Sequence, residues 1–69
     1  MKNNPADTAK IRAAIYKSGL SQAQLARKIG LSDVAIHRYM TGLRKPHHEN
    51  LAKLAQALRV DVRDLKTDD

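Results

Sequence analysis

Gly30 separates two segments with helical patterning, and this arrangement constrains the fold more than any other feature of the chain. Before the glycine, Ser21 and Gln24 have the spacing of a capping box, which marks the start of a helix. After it, Ser32 is a residue type that caps the start of a second helix. A residue that ends a helix and turns the chain often needs a positive φ angle, which glycine adopts without steric cost. Residues 21–41 are therefore predicted to form two short helices joined by a sharp turn.

The apolar residues of both segments recur at helical spacing, which predicts that each helix buries one face. In the second helix, near residues 32–41, this face consists of Ile36, Tyr39 and Met40. In the first helix, the small side chain of Ala26 lets the second helix cross at a short distance. Two helices joined in this way form a helix-turn-helix, a unit best known for placing its second helix in the major groove of DNA.

Three further helices account for most of the remaining chain. One is predicted near residues 7–18 and another near 48–58, where leucine and alanine repeat at the spacing of a buried helix face. Asp61 is placed to cap a short fifth helix. Valine, isoleucine and tyrosine are too scattered to form alternating strands, so the predicted fold is all-α. Residues 1–69 are expected to form one compact domain with its folded part over about 8–66 and with polar ends, about residues 1–5 and 67–69, that fray.

The distribution of charge favours a polyanionic partner. Thirteen Lys and Arg residues against seven Asp and Glu give a net charge of +6. Residues 1–60 carry 11 basic and 3 acidic groups, whereas residues 61–69 carry 2 basic and 4 acidic groups. Basic surfaces bind nucleic acids through phosphate contacts and counterion release, although many small proteins are basic without binding them. Two tyrosines, with no phenylalanine or tryptophan, disfavour the stacking used to bind single strands.

Several classes of protein are disfavoured by what the sequence lacks. Without cysteine, neither a disulfide framework nor a thiolate metal site is expected. No apolar run approaches the roughly 20 residues of a membrane span, and the amino terminus lacks the core of a signal peptide. We therefore expect no membrane partner and a cytoplasmic location.

Candidate catalytic and metal-binding residues lack the partners that such sites need. The serines all stand at predicted helix ends, Glu49 is the one glutamate, and no helical spacing pairs a nucleophile with a base. His47 and His48 are adjacent and point in different directions, which makes a poor metal site. The sequence predicts no enzyme activity, no metal and no cofactor.

The chain resembles the phage-repressor and Cro-like (Xre-type) helix-turn-helix DNA-binding family. The resemblance covers about residues 8–66 and rests on Leu20-Ser21-Gln22-Ala23-Gln24-Leu25-Ala26, Gly30-Leu31-Ser32, Ile36, Tyr39, Gly42, Pro46, Leu51, Leu54, Ala55, Leu58 and residues 60–65. It implies a five-helix, lambda-repressor-like domain that binds double-stranded DNA. It also implies a transcriptional regulator, in the simplest case a repressor that binds an inverted repeat in the promoter of its own operon.

The resemblance places base reading on the exposed side of the recognition helix, residues 32–41. It assigns this role to Asp33, Val34 and Arg38, with His37 on the same face. A guanidinium can bond a guanine edge bidentately, valine can pack on a thymine methyl group, and a carboxylate can accept from a cytosine amine. Asp33 is equally suited to the positive end of the helix dipole, Arg38 to solvation, and His37 to a neutral surface position.

Phosphate contacts are expected on either side of the recognition helix. The resemblance points to the start of the preceding helix, where exposed N–H groups suit an anion. A cap at Ser21 is compatible with that role. The full set of expected phosphate-binding residues is Ser21, Gln22, Arg27, Lys28, Ser32, Thr41, Arg44 and Lys45.

A homodimer is expected, because one short recognition helix covers too few base pairs for useful specificity. The candidate contact residues are Leu43, Val60, Val62 and Leu65, which can equally complete the core. The alternative function is that of an antitoxin, which binds a toxin protein and represses its own operon. An additional disordered segment that wraps the toxin would favour that function, and the sequence shows none.

Overall fold

The computed structural model describes residues 5–67 and contains four α-helices followed by a short 3₁₀ helix. The elements are α1 (Thr8–Ser18), α2 (Gln22–Ile29), α3 (Asp33–Thr41), α4 (His48–Leu58) and the 3₁₀ helix Val62–Leu65. The all-α prediction is confirmed, and the predicted helix bounds agree to within one residue for α1 to α4. The fifth element is shorter and more tightly wound than an α-helix.

Side-chain caps start α2 and α3 where the sequence predicted them. The Ser21 hydroxyl accepts from the backbone N–H of Gln24 at 3.0 Å, and the Gln24 side chain accepts from the backbone N–H of Ser21 at 2.9 Å. Ser32 caps α3 by accepting from the backbone of Ala35 at 3.1 Å. Gly30, at φ +76°, ends α2 and makes the turn into α3. The capping box and the turn glycine are thus both confirmed.

The core is built from one face of every helix. Five large side chains are almost completely buried, namely Ile11, Leu25, Ile36, Leu54 and Leu65. Ala26 is also buried, at the place where α2 packs against α3. Met40, expected on the buried face of α3, is half-buried and packs against the edge of this core. The small chain therefore has one continuous core, to which all five elements contribute.

α3 and α4 both contact α2, but within the described chain they contact each other only through side chains. α2 packs against both α3 and α4, whereas within residues 5–67 the backbones of α3 and α4 do not approach each other. α3 and α4 are connected at side-chain level, because the amide of Asn50 donates to the Tyr39 hydroxyl at 3.0 Å. α3 and α4 are therefore linked by this side-chain bond and by their common packing against α2.

The two ends of the described chain pair with each other. Ala6 and Lys66 form an antiparallel β-bridge, and the backbone N–H of Thr67 donates to the carbonyl of Pro5 at 3.0 Å. Fraying was expected over residues 1–5 and 67–69, so that expectation is wrong for Pro5 and Thr67, while residues 1–4 and 68–69 lie outside the described part. Backbone pairing across the whole chain leaves no local signal in the sequence.

The 3₁₀ helix has its own polar start. The Asp61 carboxylate accepts from the backbone of Arg63 at 2.9 Å, and Asp64 accepts in return from the backbone of Asp61 at 3.2 Å. The bond from the Arg63 backbone, followed by that from its side chain, lowers the pKa of Asp61. Within residues 5–67, no helix is long and apolar enough to cross a membrane.

Candidate nucleic-acid interface

The outer side of α3 is an exposed, mostly polar surface held on a rigid base. Ile36 and Tyr39 anchor the helix, with 0% and 6% of their surface exposed. The residues expected on the outer side are all exposed, namely Ser32, Asp33, Val34, His37, Arg38 and Thr41. We call these six residues the α3 arc. Because the buried side of α3 is fixed in the core, the side chains of the arc start from defined positions.

Val34 is unusual within the α3 arc because it is apolar and has 57% of its surface exposed. An exposed valine in polar surroundings contributes nothing to the core. Its neighbour Asp33 lies in the first turn of α3, where a negative charge is favoured by the helix dipole. The first turn therefore offers an apolar group and a carboxylate side by side.

Arg38 has a guanidinium that is free to bind a ligand. No residue within 5–67 accepts a hydrogen bond from it or forms an ion pair with it. Its backbone carbonyl, in contrast, accepts from the Thr41 hydroxyl at 3.2 Å and from the backbone N–H of Arg44 at 3.3 Å. These bonds fold the loop after α3 back on the helix, so that its basic residues start close to the arc.

The loop between α3 and α4 adds two unpaired cations. Arg44 and Lys45 are both exposed, and neither forms an ion pair with any residue of the described chain. Thr41, at the end of α3, accepts from the backbone of Leu43 at 3.4 Å. The structure therefore brings Thr41, Arg44 and Lys45 together at one end of the α3 arc.

The capping box at the start of α2 leaves two backbone N–H groups available. The capping box uses the backbone N–H groups of Ser21 and Gln24. The N–H groups of Gln22 and Ala23 precede the first residue that can bond within the helix, and so they remain available to an acceptor. This arrangement suits an anion at the start of α2.

Arg27 and Lys28 do not share the position of Gln22. Lys28 lies six residues after Gln22, or about 9 Å along the helix axis. It borders a hollow with Lys53, Gln56 and Ala57, which belong to α4. Arg27 is exposed and points about 100° away from Lys28 around α2. The structure thus separates Lys28 from the expected phosphate-binding residues at the start of α2.

The residues that position α3 include three that the sequence did not reveal. The Arg12 guanidinium donates to the backbone carbonyl of Met40 at 2.9 Å, and Asn50 donates to Tyr39. Thr8 lies so close to Gly42 that a Cβ at this glycine would be 3.3 Å from the Thr8 hydroxyl. These contacts join residues far apart in the chain, so local patterning carries no signal for them.

The four candidate dimer residues lie in different environments. Leu43 has 78% of its surface exposed and contributes nothing to the core. Val60 and Val62 are half-buried and pack against the core. Leu65 has 0% of its surface exposed, so the structure corrects its assignment from a subunit contact to a core residue. Leu65 is the buried residue of the 3₁₀ helix, and its side chain closes this part of the core.

The histidines show no arrangement for binding a metal. His47 precedes α4 without a side-chain capping bond, and His48 is the first residue of that helix. Both are exposed. Among residues 5–67, no group of three His, Cys, Asp or Glu side chains could hold a metal ion.

Known proteins match this chain in sequence. The family model for helix-turn-helix proteins matches residues 10–65. A transcriptional repressor of Vibrio cholerae, RstR of the cryptic phage CTXphi, is 41% identical over 54 residues, which are 78% of this chain. The chain spans 46% of the length of that repressor.

Solved structures match it in fold. The P22 c2 repressor bound to the synthetic operator 9T is similar with a TM-score of 0.81 and 34% identity, over 90% of this chain and 94% of that one. The restriction-modification controller protein C.AhdI of Aeromonas hydrophila is similar with a TM-score of 0.78 and 33% identity, over 84% and 88% of the two chains. The match to the family model covers α1 to the 3₁₀ helix, and with it this chain belongs to the helix-turn-helix family.

Proposed function

We propose that this chain is a transcriptional repressor that binds double-stranded DNA through the α3 arc. The observation that carries the proposal is the unpaired guanidinium of Arg38 on a helix whose opposite side is fixed in the core. The P22 c2 repressor, similar over 90% of this chain, is bound to an operator in its solved structure. RstR is also a repressor and C.AhdI a controller protein, which supports gene regulation over the neutralisation of a toxin.

In this proposal the first two turns of α3 read the bases. Arg38 donates two hydrogen bonds to the edge of a guanine, and Val34 packs against the methyl group of a thymine. Asp33 accepts from a cytosine amine where that base is present and otherwise stabilises the start of α3. His37, on the same face, supplies a further polar contact.

Phosphates on either side of the groove bind the start of α2 and the loop after α3. Gln22 contributes its backbone N–H group and its side chain, Ser21 donates from its hydroxyl, and Arg44 and Lys45 contribute charge. Ser32, Thr41 and Arg27 complete this set, from which Lys28 is left out because it borders α4. Phosphate contacts fix the register of the protein on the duplex, so that the base-reading residues meet the same positions each time.

Two copies of the chain bind one operator in this proposal. Two recognition helices placed one turn of DNA apart, about 34 Å, read an inverted repeat and double the recognised sequence. Leu43, with its exposed side chain, and the half-buried Val60 and Val62 are the candidate contacts between the copies. The regulator acts in the cytoplasm, on the promoter of its own operon, with no catalytic step.

Selection of bound sites from random duplex DNA, read by sequencing, tests the function. A palindromic consensus of two half-sites with one guanine contact for Arg38 in each is the expected result. A library that shows no enrichment would contradict sequence-specific binding. A consensus without internal symmetry would contradict the two-fold arrangement and leave the base-reading residues in place.

A further inference from the structure

A shallow groove lies between α2 and α4. Its first part, of about 380 Å³, is bordered by Lys28 and Ile29 of α2 and by Lys53 and Ala57 of α4. Its second part, of about 280 Å³, shares Lys28 and Ala57 and extends to Arg59. Lys28 and Ala57 border both parts, which are therefore adjacent. We call it the α2–α4 groove.

The rim of the α2–α4 groove carries positive charge that nothing in the described part of the protein neutralises. Lys28, Lys53 and Arg59 are exposed, and none forms a hydrogen bond or ion pair through its side chain with any of residues 5–67. Among the described residues, no carboxylate lines either part. Glu49, one helical turn before Lys53, is outside the lining and is not paired with it. A concave surface with charge of one sign attracts a ligand of the opposite sign.

Arg59 lies at one end of this rim. It ends α4 at φ +58°, the left-handed conformation that glycine adopts most easily. Among residues 5–67, the other positions with positive φ are all glycines. A left-handed residue is a common way for a helix to end, and this one leaves the Arg59 side chain exposed at the rim.

We propose that the α2–α4 groove binds an acidic segment of a partner protein. Carboxylates of the segment pair with Lys28, Lys53 and Arg59, and a small apolar side chain packs on the groove floor formed by Ile29 and Ala57. The floor distinguishes this surface from a phosphate-binding track, because an apolar centre with a polar rim is the anatomy of a protein interface. Ala57 is 9% exposed, so the floor is closed and shallow and suits a segment with small apolar residues.

The geometry leaves the groove open when the α3 arc is occupied. The residues that line the groove include none of the proposed duplex contacts, so a duplex bound to the α3 arc and a segment bound between α2 and α4 do not compete. The inference depends on the proposed function only for this simultaneous occupancy. The groove and its charge exist whether or not α3 binds DNA.

Fluorescence anisotropy of a labelled peptide, made of repeating Glu-Glu-Ala units, tests the groove at about 0.15 M salt, where charges more than about 8 Å apart are largely screened. The intact chain is expected to bind the peptide, both alone and with saturating duplex DNA. The double variant Lys28→Gln/Lys53→Gln is expected to weaken peptide binding at least tenfold. The matched control Arg44→Gln/Lys45→Gln removes the same charge on another face and should change it less than twofold. Circular dichroism of all variants verifies folding.

Three outcomes would overturn the proposal. Absence of peptide binding, or an equal loss in both double variants, would show that the groove has no specific affinity for carboxylates. A large loss of duplex binding in Lys28→Gln/Lys53→Gln, with peptide affinity unchanged, would assign the groove to nucleic acid. If the chain binds the peptide but no duplex, the proposed function is contradicted and the groove proposal is not.

Discussion

The guanidinium of Arg12 donates a 2.9 Å hydrogen bond to the backbone carbonyl of Met40, so that α1 holds the end of α3. Met40 belongs to the last turn of α3, where carbonyl groups have no partner within the helix. A cation at this end of a helix is also favoured by the helix dipole. One side chain of α1 thus supports the turn that carries Arg38 and Thr41.

Replacement of Arg12 by alanine should therefore lower the free energy of unfolding by about 0.5–1 kcal/mol, the range of a modest net hydrogen bond. The low value is expected because Arg12 is exposed, so water can replace part of the bond. Urea denaturation of the wild type, Arg12→Ala and Arg12→Lys measures the effect. The lysine variant keeps the charge and should lose less, and equal stability of all three proteins would argue against a role for this bond.

Two glycines with similar backbone angles should respond differently to alanine. Gly30 has φ +76° and open space within 4 Å of the point that a Cβ would occupy, whereas at Gly42, with φ +81°, a Cβ would lie 3.3 Å from the Thr8 hydroxyl. Gly30→Ala should cost about 1 kcal/mol from the left-handed conformation alone, and Gly42→Ala about 2 kcal/mol. Thermal denaturation measures both.

Thr8 provides the control for this pair. In a Thr8→Ala background, which removes the hydroxyl, the excess cost at Gly42 should fall while the cost at Gly30 stays the same. An unchanged excess at Gly42 would mean that the contact with Thr8 is not its source.

Arg38→Ala should weaken binding to the selected operator by about 1–3 kcal/mol and relax base preference at one position in each half-site. Its stability should stay close to that of the wild type, because the guanidinium has no partner among residues 5–67. Titrations on operator and on random duplex DNA distinguish a base contact from a phosphate contact. Equal losses on both would make Arg38 a phosphate contact instead of a base contact.

Arg44→Ala and Lys45→Ala should weaken binding to all duplex sequences alike. Each phosphate contact contributes about −0.9 to the slope of log affinity against log salt, so each variant should reduce that slope by about 1 per site lost. Affinity measured over a series of salt concentrations gives the slope. A slope near zero in the wild type would contradict binding to the DNA backbone.

Leu43→Ser should reduce assembly on the operator without affecting the fold, because Leu43 is 78% exposed and adds nothing to the core. If Leu43 is buried between two copies, its loss should weaken the association by at least roughly tenfold. Sedimentation with and without operator counts the subunits for each duplex. Tyr16→Ser, at 83% exposure, is the matched control, and one subunit per duplex at saturation in the wild type would rule out the dimer.

The helices and the exposed arc were predictable because their signals lie within a few residues. Ser21 and Gln24 are three residues apart, as are Ser32 and its bonded backbone at Ala35. The repeat of Ile36 and Tyr39 similarly identified the buried side of α3, and hence its outer side. Such local features depend on helix geometry, which the sequence expresses directly.

The residues that hold the site in place were not predictable in this way. Arg12 and Met40 are 28 positions apart, and Asn50 is 11 positions from Tyr39, so each bond depends on how the helices pack. The burial of Leu65 likewise depends on packing against other elements. Lys28 was assigned to a phosphate from its place along α2, whereas its neighbours are set by the position of α4.

The antiparallel bridge between Ala6 and Lys66 makes the two ends of the described chain a single cooperative unit. The backbone bonds from Asp7 to Leu65 and from Thr67 to Pro5 each join one end to the other, so neither segment keeps its bonds once its partner leaves. Both segments must therefore open to solvent in the same event, with one shared rate and one shared opening free energy. The same backbone bonds fix the start of α1 relative to the 3₁₀ helix, because these two elements flank the bridge.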